Sequence, residues 1–546
     1  MERALALRTN SGVGAVGTVA SISGSQITAI LYDDDDKVSS LSRADADAMQ
    51  IGGLVRIECT TSDVFGMVQS LRIERAPLRG EDKMDERVAE IQLVGEIPHG
   101  SANGGRGHFV RGVSSYPRLN AKVYATHRDE LSLVYARPQT SNVRIGALFQ
   151  DSSVPAFIVT DDLLGKHFAV LGTTGCGKSC TVALILQSIL NEHPNGHVVM
   201  LDPHSEYSHA FGEAAEVIRP NDLELPYWML NFEETVAIMT AHHSETRDQE
   251  IAILKNGLLE ARRKSADDGI GHLTVDTPAP YRIGDLARYL DQKMGELDKP
   301  DNSVPYLRLK SRIEALGNDK RLSFMFPGHM MKDNLDDILG RILRIPVYGK
   351  PITLLDISGL PGEVVDVVVS VICRMIFDFA IWAERDRAMP ILLVCEEAHR
   401  YAPNSPAGGF EPTKRALSRI AKEGRKYGIS LGLVSQRPSE LCMSILSQCN
   451  TLFALRMSNE RDHEFVRNAL PDCARTFLSA LPALRTQEAI VVGEGVTVPM
   501  RVRFDDLPDE RRPCSDTARF SERWNEDAAE DSFVAETIRR WRRQAR

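Results

Sequence analysis

The 546-residue chain carries 65 Lys and Arg against 75 Asp and Glu, a formal net charge of −10, which excludes a polycation that coats nucleic acid with its whole surface. Hydrophobic residues at 43% and charged residues at 26% exclude a disordered chain, and at roughly 100–200 residues per domain the length implies about three or four structural units. The nine cysteines are an odd number without a C-x-x-C pair, which argues for reduced thiols in a cytoplasm and against a zinc site.

The N-terminus, MERALALRTN, has no apolar stretch of signal-peptide length, so a cytoplasmic protein is expected. From about Gly12 to Ala76, short runs such as VGTVASISG, SQITAILYD, LVRIECT and GMVQSLRIE alternate with Gly, Asp and Ser clusters, the pattern of a small β-barrel or sandwich. The acidic run Asp33–Asp36 falls between two of these runs and is expected at a solvated hairpin tip, because adjacent carboxylates repel unless exposed or bound to a cation. The Gly-rich segment His99–Gly107 is a loop or linker, and two further strands, AKVYAT and LSLVYA, follow it.

Past Gly165 the pattern becomes short apolar runs between helical segments: 168–172, 197–201, 352–356, 391–395, 429–435, 451–455 and 488–493. Runs without polar alternation suit strands covered on both faces, so this part is expected to be an α/β domain with a largely parallel sheet. Between about Glu233 and Arg344 only helical spacing is found, an α-helical insertion. Val364–Trp382 is long enough to span a bilayer, but Asp366, Arg374 and Asp378 would each be costly in lipid, so a buried core helix is expected and no membrane. Near the C-terminus, Val534, Ile538 and Trp541 share one helix face beside the Arg-rich run RRWRRQAR; a solvated helix and a docking helix both fit.

The strongest chemical signal is Gly172-Thr-Thr-Gly175-Cys-Gly177-Lys178-Ser179, a G-x-x-x-x-G-K-[ST] loop between an apolar strand and an amphipathic helix. Such glycines let backbone N–H groups turn inward on phosphate oxygens at a helix N-terminus, where the macrodipole also favours negative charge. Gly172, Thr174, Gly175, Cys176, Gly177, Lys178, Ser179 and Cys180 are therefore the candidate residues for binding ATP. Lys178 would reach the β and γ phosphates and Ser179 would ligate Mg²⁺. Glu396 and Glu397 end the apolar run ILLVC, a position from which Glu396 would hold Mg²⁺ through water and Glu397 would polarise the attacking water; surface acids capping the following helix are the alternative. Gln436 ends another apolar run and suits a γ-phosphate sensor. Arg425 and Arg456 are candidate arginine fingers, with ordinary solvated arginines as the alternative. Asp202 and His204 end a strand, where they would contact water or Mg²⁺, or only satisfy a turn.

Taken together, GKHFAVLGTTGCGKSCT, LDPHSEYSHAF, LPYWMLNFEE, KRLSFMF, LLDISGLPGEV, ILLVCEEAHRY, IAKEGRKYGISLGLVSQRP and LRTQEAIVVGEGVTVPMRVRF resemble, in order over roughly residues 150–506, the HerA family of hexameric DNA-translocating ATPases related to FtsK-type motors. The resemblance implies a bacterial member with an N-terminal HAS-type β-barrel over residues 1–100, a β-linker over 101–165, a RecA-like P-loop ATPase core over 166–506 with the helical insertion at about 233–344, and a charged C-terminal tail over 507–546. It further implies a homohexamer, duplex DNA in a central channel, Glu396 and Glu397 as the acidic pair, Gln436 as sensor and Arg425 as a finger acting in trans. Two departures stand out: Cys176 where the family often has Ser, and Ser205 where it commonly has Gly.

A channel needs only a local basic lining, since six copies turn a few basic residues into a ring. Arg262, Arg263 and Lys264, and Lys414, Arg415 and Arg419, are the candidates for sequence-independent contact with double-stranded DNA, with solvated helix faces as the alternative. The expected function is ATP hydrolysis coupled to translocation or unwinding of duplex DNA. The resemblance adds a separate effector, a NurA-type or other nuclease or a sirtuin-like NAD-consuming protein, in DNA repair or antiphage defence. The alternative is an ATP-bound ring that scaffolds and activates the effector without moving DNA.

Overall fold

The structure is a computed structural model and describes residues 14–32, 50–75, 85–99, 107–240, 245–265, 272–296, 300–326, 332–405, 410–469, 477–514, 520–525 and 532–543. Asp33–Asp36 and most of the Gly-rich segment 99–107 lie outside the described residues. The chain divides into two units, residues 1–193 with 430–507 and residues 194–429 with 508–546.

In the first unit, β1 (Gly17–Ser23), β2 (Gln26–Leu31), β3 (Leu54–Glu58), β4 (Ser62–Arg75), β5 (Asp85–Pro98), β6 (Val110–Arg111) and β7 (Lys122–Ala125) form one antiparallel sheet in the order β2-β1-β7-β3-β4-β5-β6. Pairing of β2 with β5, Ile27 opposite Ile91 and Ala29 opposite Ala89, closes six of these strands into a barrel, and closure removes the exposed strand edges. Side chains alternate between faces along each strand, so Val19, Ile27, Val55, Ile57, Ile91 and Val123 meet inside as an apolar core. The four residues of β7 pair with both β1 and β3, which takes the barrel past residue 100 into the stretch read as a linker. In that stretch LSLVYA, expected as a strand, falls instead at the end of helix Arg128–Val134, and β8 (Asn142–Leu148) and β9 (Pro155–Val159) follow, then β10 (Phe168–Leu171).

The second unit contains β11 (Val198–Asp202), β12 (Ala215–Ile218), β13 (Ile352–Asp356) and β14 (Ile391–Cys395), all parallel, in the order β12-β13-β11-β14. Asp202 is opposite Asp356 and Leu201 is opposite Cys395, so Asp356, Asp202 and Glu396 emerge side by side at one end of three adjacent strands. Between β12 and β13 run five helices, Phe232–Met239, Arg247–Ser265, Ile283–Gly295, Val304–Asn318 and Leu335–Leu343, with no strand among the described residues there. The apolar stretch at 364–382 is helix Gly362–Trp382, buried along most of its length. Its Arg374 is matched within the protein: Nε donates to buried Glu234 at 3.1 Å, one terminal nitrogen to Asp378 at 3.1 Å and the other to the Met229 carbonyl at 2.6 Å. Among the described residues no helix is long and apolar enough to cross a membrane.

Back in the first unit, β15 (Ile429–Ser435), β16 (Thr451–Leu455), β17 (Glu488–Gly493) and β18 (Met500–Phe504) complete the order β15-β10-β16-β17-β18-β8-β9. β15 and β16 run parallel to β10 on either side of it, whereas β17, β18, β8 and β9 are antiparallel. The molecule is thus an α/β protein with a RecA-like core, a small β-barrel and a helical insertion.

Candidate nucleotide site

The chemistry-bearing residues of the first unit surround the loop after β10. Gly172 N–H donates to the Ser435 carbonyl at 3.3 Å, and Thr173 donates through both N and Oγ1 to the Arg456 carbonyl at 3.0 Å, so the loop is tied to the ends of both neighbouring strands. This brings Gln436 and Arg456, the residues that follow β15 and β16, to opposite flanks of the loop. The Thr174 hydroxyl donates to Gln436 Oε1, a contact that the sequence did not suggest. Gly177 caps helix Lys178–Glu192 with φ of 99°, a left-handed conformation that glycine adopts at little cost. At Gly172 a Cβ would meet Cys176 Sγ at 2.7 Å and Leu455 Cβ at 2.8 Å, so a side chain there would break the packing under the loop. Lys178 is buried at 8% exposure, its Nζ donating across the loop to the Thr173 carbonyl at 3.1 Å. Ser179 and Cys180 begin the helix, half-buried.

Cys176, the unusual residue of the loop, points away from the cradle. It is wholly buried, burial pushes its thiol up despite nearby Lys178, and its carbonyl accepts from Gln487 N–H at 3.2 Å. Its side chain is packing, and only its backbone borders the loop.

The residues of the second unit gather at the ends of β11, β13 and β14. Glu396 and Glu397 are 4% and 6% exposed, which removes the reading of the pair as surface helix caps. Tyr207 Oη donates to Glu396 Oε2 at 2.9 Å. Glu397 adopts a left-handed backbone, φ 52°, uncommon for a residue with a side chain and a form of strain that concentrates at functional sites. Its Oε2 is buried with no hydrogen bond among the described residues, His399 Nδ1 lying at ion-pair distance, 3.3 Å, and His204 Nε2 lies 4.0 Å from Oε1. Asp202 accepts from the N–H groups of His204, Glu206 and Tyr207 at 3.0–3.3 Å, and burial still pushes its carboxyl above the ordinary range. Ser205 has φ of 56°, which explains why glycine suits this position; here its Oγ donates to Asp356 Oδ2 at 2.9 Å. Arg425 stands exposed in the turn Gly424–Tyr427 with no ion pair among the described residues.

The basic residues proposed for DNA fare unevenly. Arg262 is a correction: it is 1% exposed, and its guanidinium donates to the carbonyls of Thr274, Val275, Trp228 and Leu230. The charge is needed to satisfy four inward-facing carbonyls and is closed to a phosphate backbone. Lys264 pairs with Asp285 at 2.9 Å, Arg415 pairs with Glu233 and Glu411, and Arg419 lies 4.4 Å over the Phe377 ring. Arg263 remains exposed and Lys414 half-exposed.

A glycine-rich loop that joins a parallel strand to a helix N-terminus, with a buried lysine and a polar sensor at the adjacent strand end, defines a P-loop ATPase. Residues 143–376 match the family described as helicase HerA, central domain. It is 26% identical over 483 residues to the DNA double-strand break repair helicase HerA of Pyrococcus furiosus, covering 81% of this chain and 82% of that protein. It is 27% identical to the protein of the same name from Sulfolobus acidocaldarius, over 78% of this chain and 80% of that one. The structure of VirB4 of Thermoanaerobacter pseudethanolicus is similar over 68% of this chain and 98% of that chain, with 17% identity and a TM-score of 0.48.

Proposed function

We propose that the chain is the subunit of a homohexameric ring that hydrolyses ATP with Mg²⁺ to translocate along or unwind double-stranded DNA, independent of sequence, in concert with a separate effector protein. Two observations carry this reading: a complete phosphate loop in the first unit and, in the second, two buried glutamates at a strand end. A carboxylate buried at 6% exposure with a left-handed backbone is costly in a purely structural role and suits a group that engages water.

In this reading the loop N–H groups and Lys178 bind the β and γ phosphates. Ser179 and Glu396 hold the cation, Ser179 through its hydroxyl and Glu396 through water. A bound Mg²⁺ supplies neutralisation of charge that develops on the phosphates. Glu397 orients and polarises the attacking water, Gln436 reports the γ phosphate to the loop through Thr174, and Arg425 reaches the nucleotide of an adjacent copy. The exposure of Arg425 with no ion-pair partner among the described residues supports that last role. The names of the relatives support DNA end repair as the setting. A nuclease or an NAD-consuming enzyme, acting in repair or in antiphage defence, is the class of effector that such a motor would serve.

Purified chain, with linear duplex and the co-expressed effector, tests the reading. Glu397→Gln should lower hydrolysis by about a hundredfold or more while ATP binding persists, and effector activity should fall with it. Effector activity at the wild-type level in Glu397→Gln, lost only in Lys178→Ala, would overturn the motor reading and favour a ring that acts by binding ATP alone.

A further inference from the structure

The segment from Asp202 to Tyr207 is more than a turn after a strand. Its backbone is wound around one buried carboxylate: Asp202, 2% exposed, accepts from three successive-turn N–H groups, of His204, Glu206 and Tyr207. Ser205 is fixed in a left-handed conformation by its bond to Asp356. The short turn Asp509–Arg511 and the residues after it hold the same segment, Cys514 N–H donating to the Glu206 carbonyl at 2.9 Å and His209 Nδ1 lying 3.2 Å from the Arg512 carbonyl. The result of this winding is that Tyr207, wholly buried, aims its hydroxyl at Glu396 Oε2, 2.9 Å away.

We infer that Tyr207 is a positioning residue for Glu396: its phenol donates to one carboxylate oxygen and so sets the rotation of the carboxylate that would hold the cation's water. This rests on the role proposed above for Glu396. A hydrogen bond from a buried neutral donor to a buried carboxylate is strong, and it sets direction as well as charge distribution. A carboxylate that turns freely would still attract the cation but would hold its water in the reactive orientation only part of the time.

Tyr207→Phe in the full-length chain keeps the ring and removes the donor. The expected result is a fall in kcat of roughly ten- to a hundredfold, with KM for ATP within about twofold and a rise in the Mg²⁺ concentration at half-maximal rate. A merely structural role would move the thermal unfolding midpoint and fluorescent-ATP affinity instead, and these two measurements report folding independently of rate. Adding Tyr207→Phe to Glu396→Gln should cost nothing beyond Glu396→Gln alone. Unchanged kcat and Mg²⁺ dependence in Tyr207→Phe, or losses that multiply in the double variant, would overturn the inference. Undiminished hydrolysis in Glu396→Gln would overturn the role of Glu396 itself, a separate outcome.

Discussion

Arg262 shows how a charge on a helix can serve the chain rather than a ligand. Helix Arg247–Ser265 buries it against the carbonyls of 228, 230, 274 and 275, and burial lowers the guanidinium below its ordinary value without a carboxylate partner within hydrogen-bond reach among its contacts. Replacement by Met keeps the stem and abandons the carbonyls, which then face an apolar group. Arg262→Met should lose about 2–4 kcal/mol of unfolding free energy, read by urea denaturation, while any affinity of the folded protein for duplex DNA is unchanged. A selective loss of DNA affinity at full stability would return Arg262 to the channel. The misreading has a physical cause: sequence spacing put Arg262 beside Arg263 and Lys264 in a basic cluster, and only the fold brings four carbonyls from distant segments onto one side chain. Tyr207 was missed for the same reason, since nothing local to DPHSEY shows that β11 and β14 are neighbours.

At the scale of elements, the strands of the core were the most legible, because a strand buried on both faces has to be written as an uninterrupted apolar run. The runs at 352–356, 391–395, 429–435, 451–455 and 488–493 are β13 to β17. Their direction was less so: EAIVVG has the composition of its parallel neighbours yet runs antiparallel to β16, since the apolar run records burial and not orientation. β7 was hidden differently, as four residues that gain their place only by pairing with β1 and β3. How elements are fastened depends on charge as well as packing. Glu216 on β12 accepts from Arg341 at 2.9 Å and from Lys350 at 3.1 Å, fastening the edge strand to helix Leu335–Leu343. Burial pushes the Glu216 carboxyl up, but the two cations outweigh it and hold it below the usual range. A depressed value means stability that is present above the unfolded carboxylate value of about 4.3 and lost as pH falls through the lower folded value. Arg341→Gln should therefore be less stable than the parent by about 0.5–1 kcal/mol near pH 7, and the difference should shrink below about pH 4. Equal gaps at both pH values, in parallel denaturation curves, would show that Arg341 acts only through the Asp222 carbonyl to which it also donates.

For the whole molecule, the decisive property is whether one copy completes the site of another. The phosphate loop, Gln436 and the acidic pair all come from motifs that can be read in one chain, whereas Arg425 is exposed with no ion-pair partner among the described residues, and the role proposed for it needs a second copy. A finger supplied in trans makes a definite prediction for mixed rings. Lys178→Ala abolishes a subunit's own nucleotide chemistry but leaves its Arg425 intact, whereas Arg425→Ala keeps the nucleotide site and withholds the finger from the neighbour. Each variant alone should hydrolyse ATP slowly, by a factor on the order of a thousand for the finger if it stabilises the transferring phosphoryl group. Rings assembled from both should recover part of the rate, because an Arg425→Ala subunit receives a finger whenever its neighbour is Lys178→Ala, and the recovery should peak at an intermediate ratio of the two. Steady-state phosphate release across mixing ratios, with the oligomeric state followed by light scattering, provides the measurement. No recovery at any ratio in rings that contain both variants would place the function of Arg425 within its own subunit, and full turnover by a monomer would remove the need for a ring altogether.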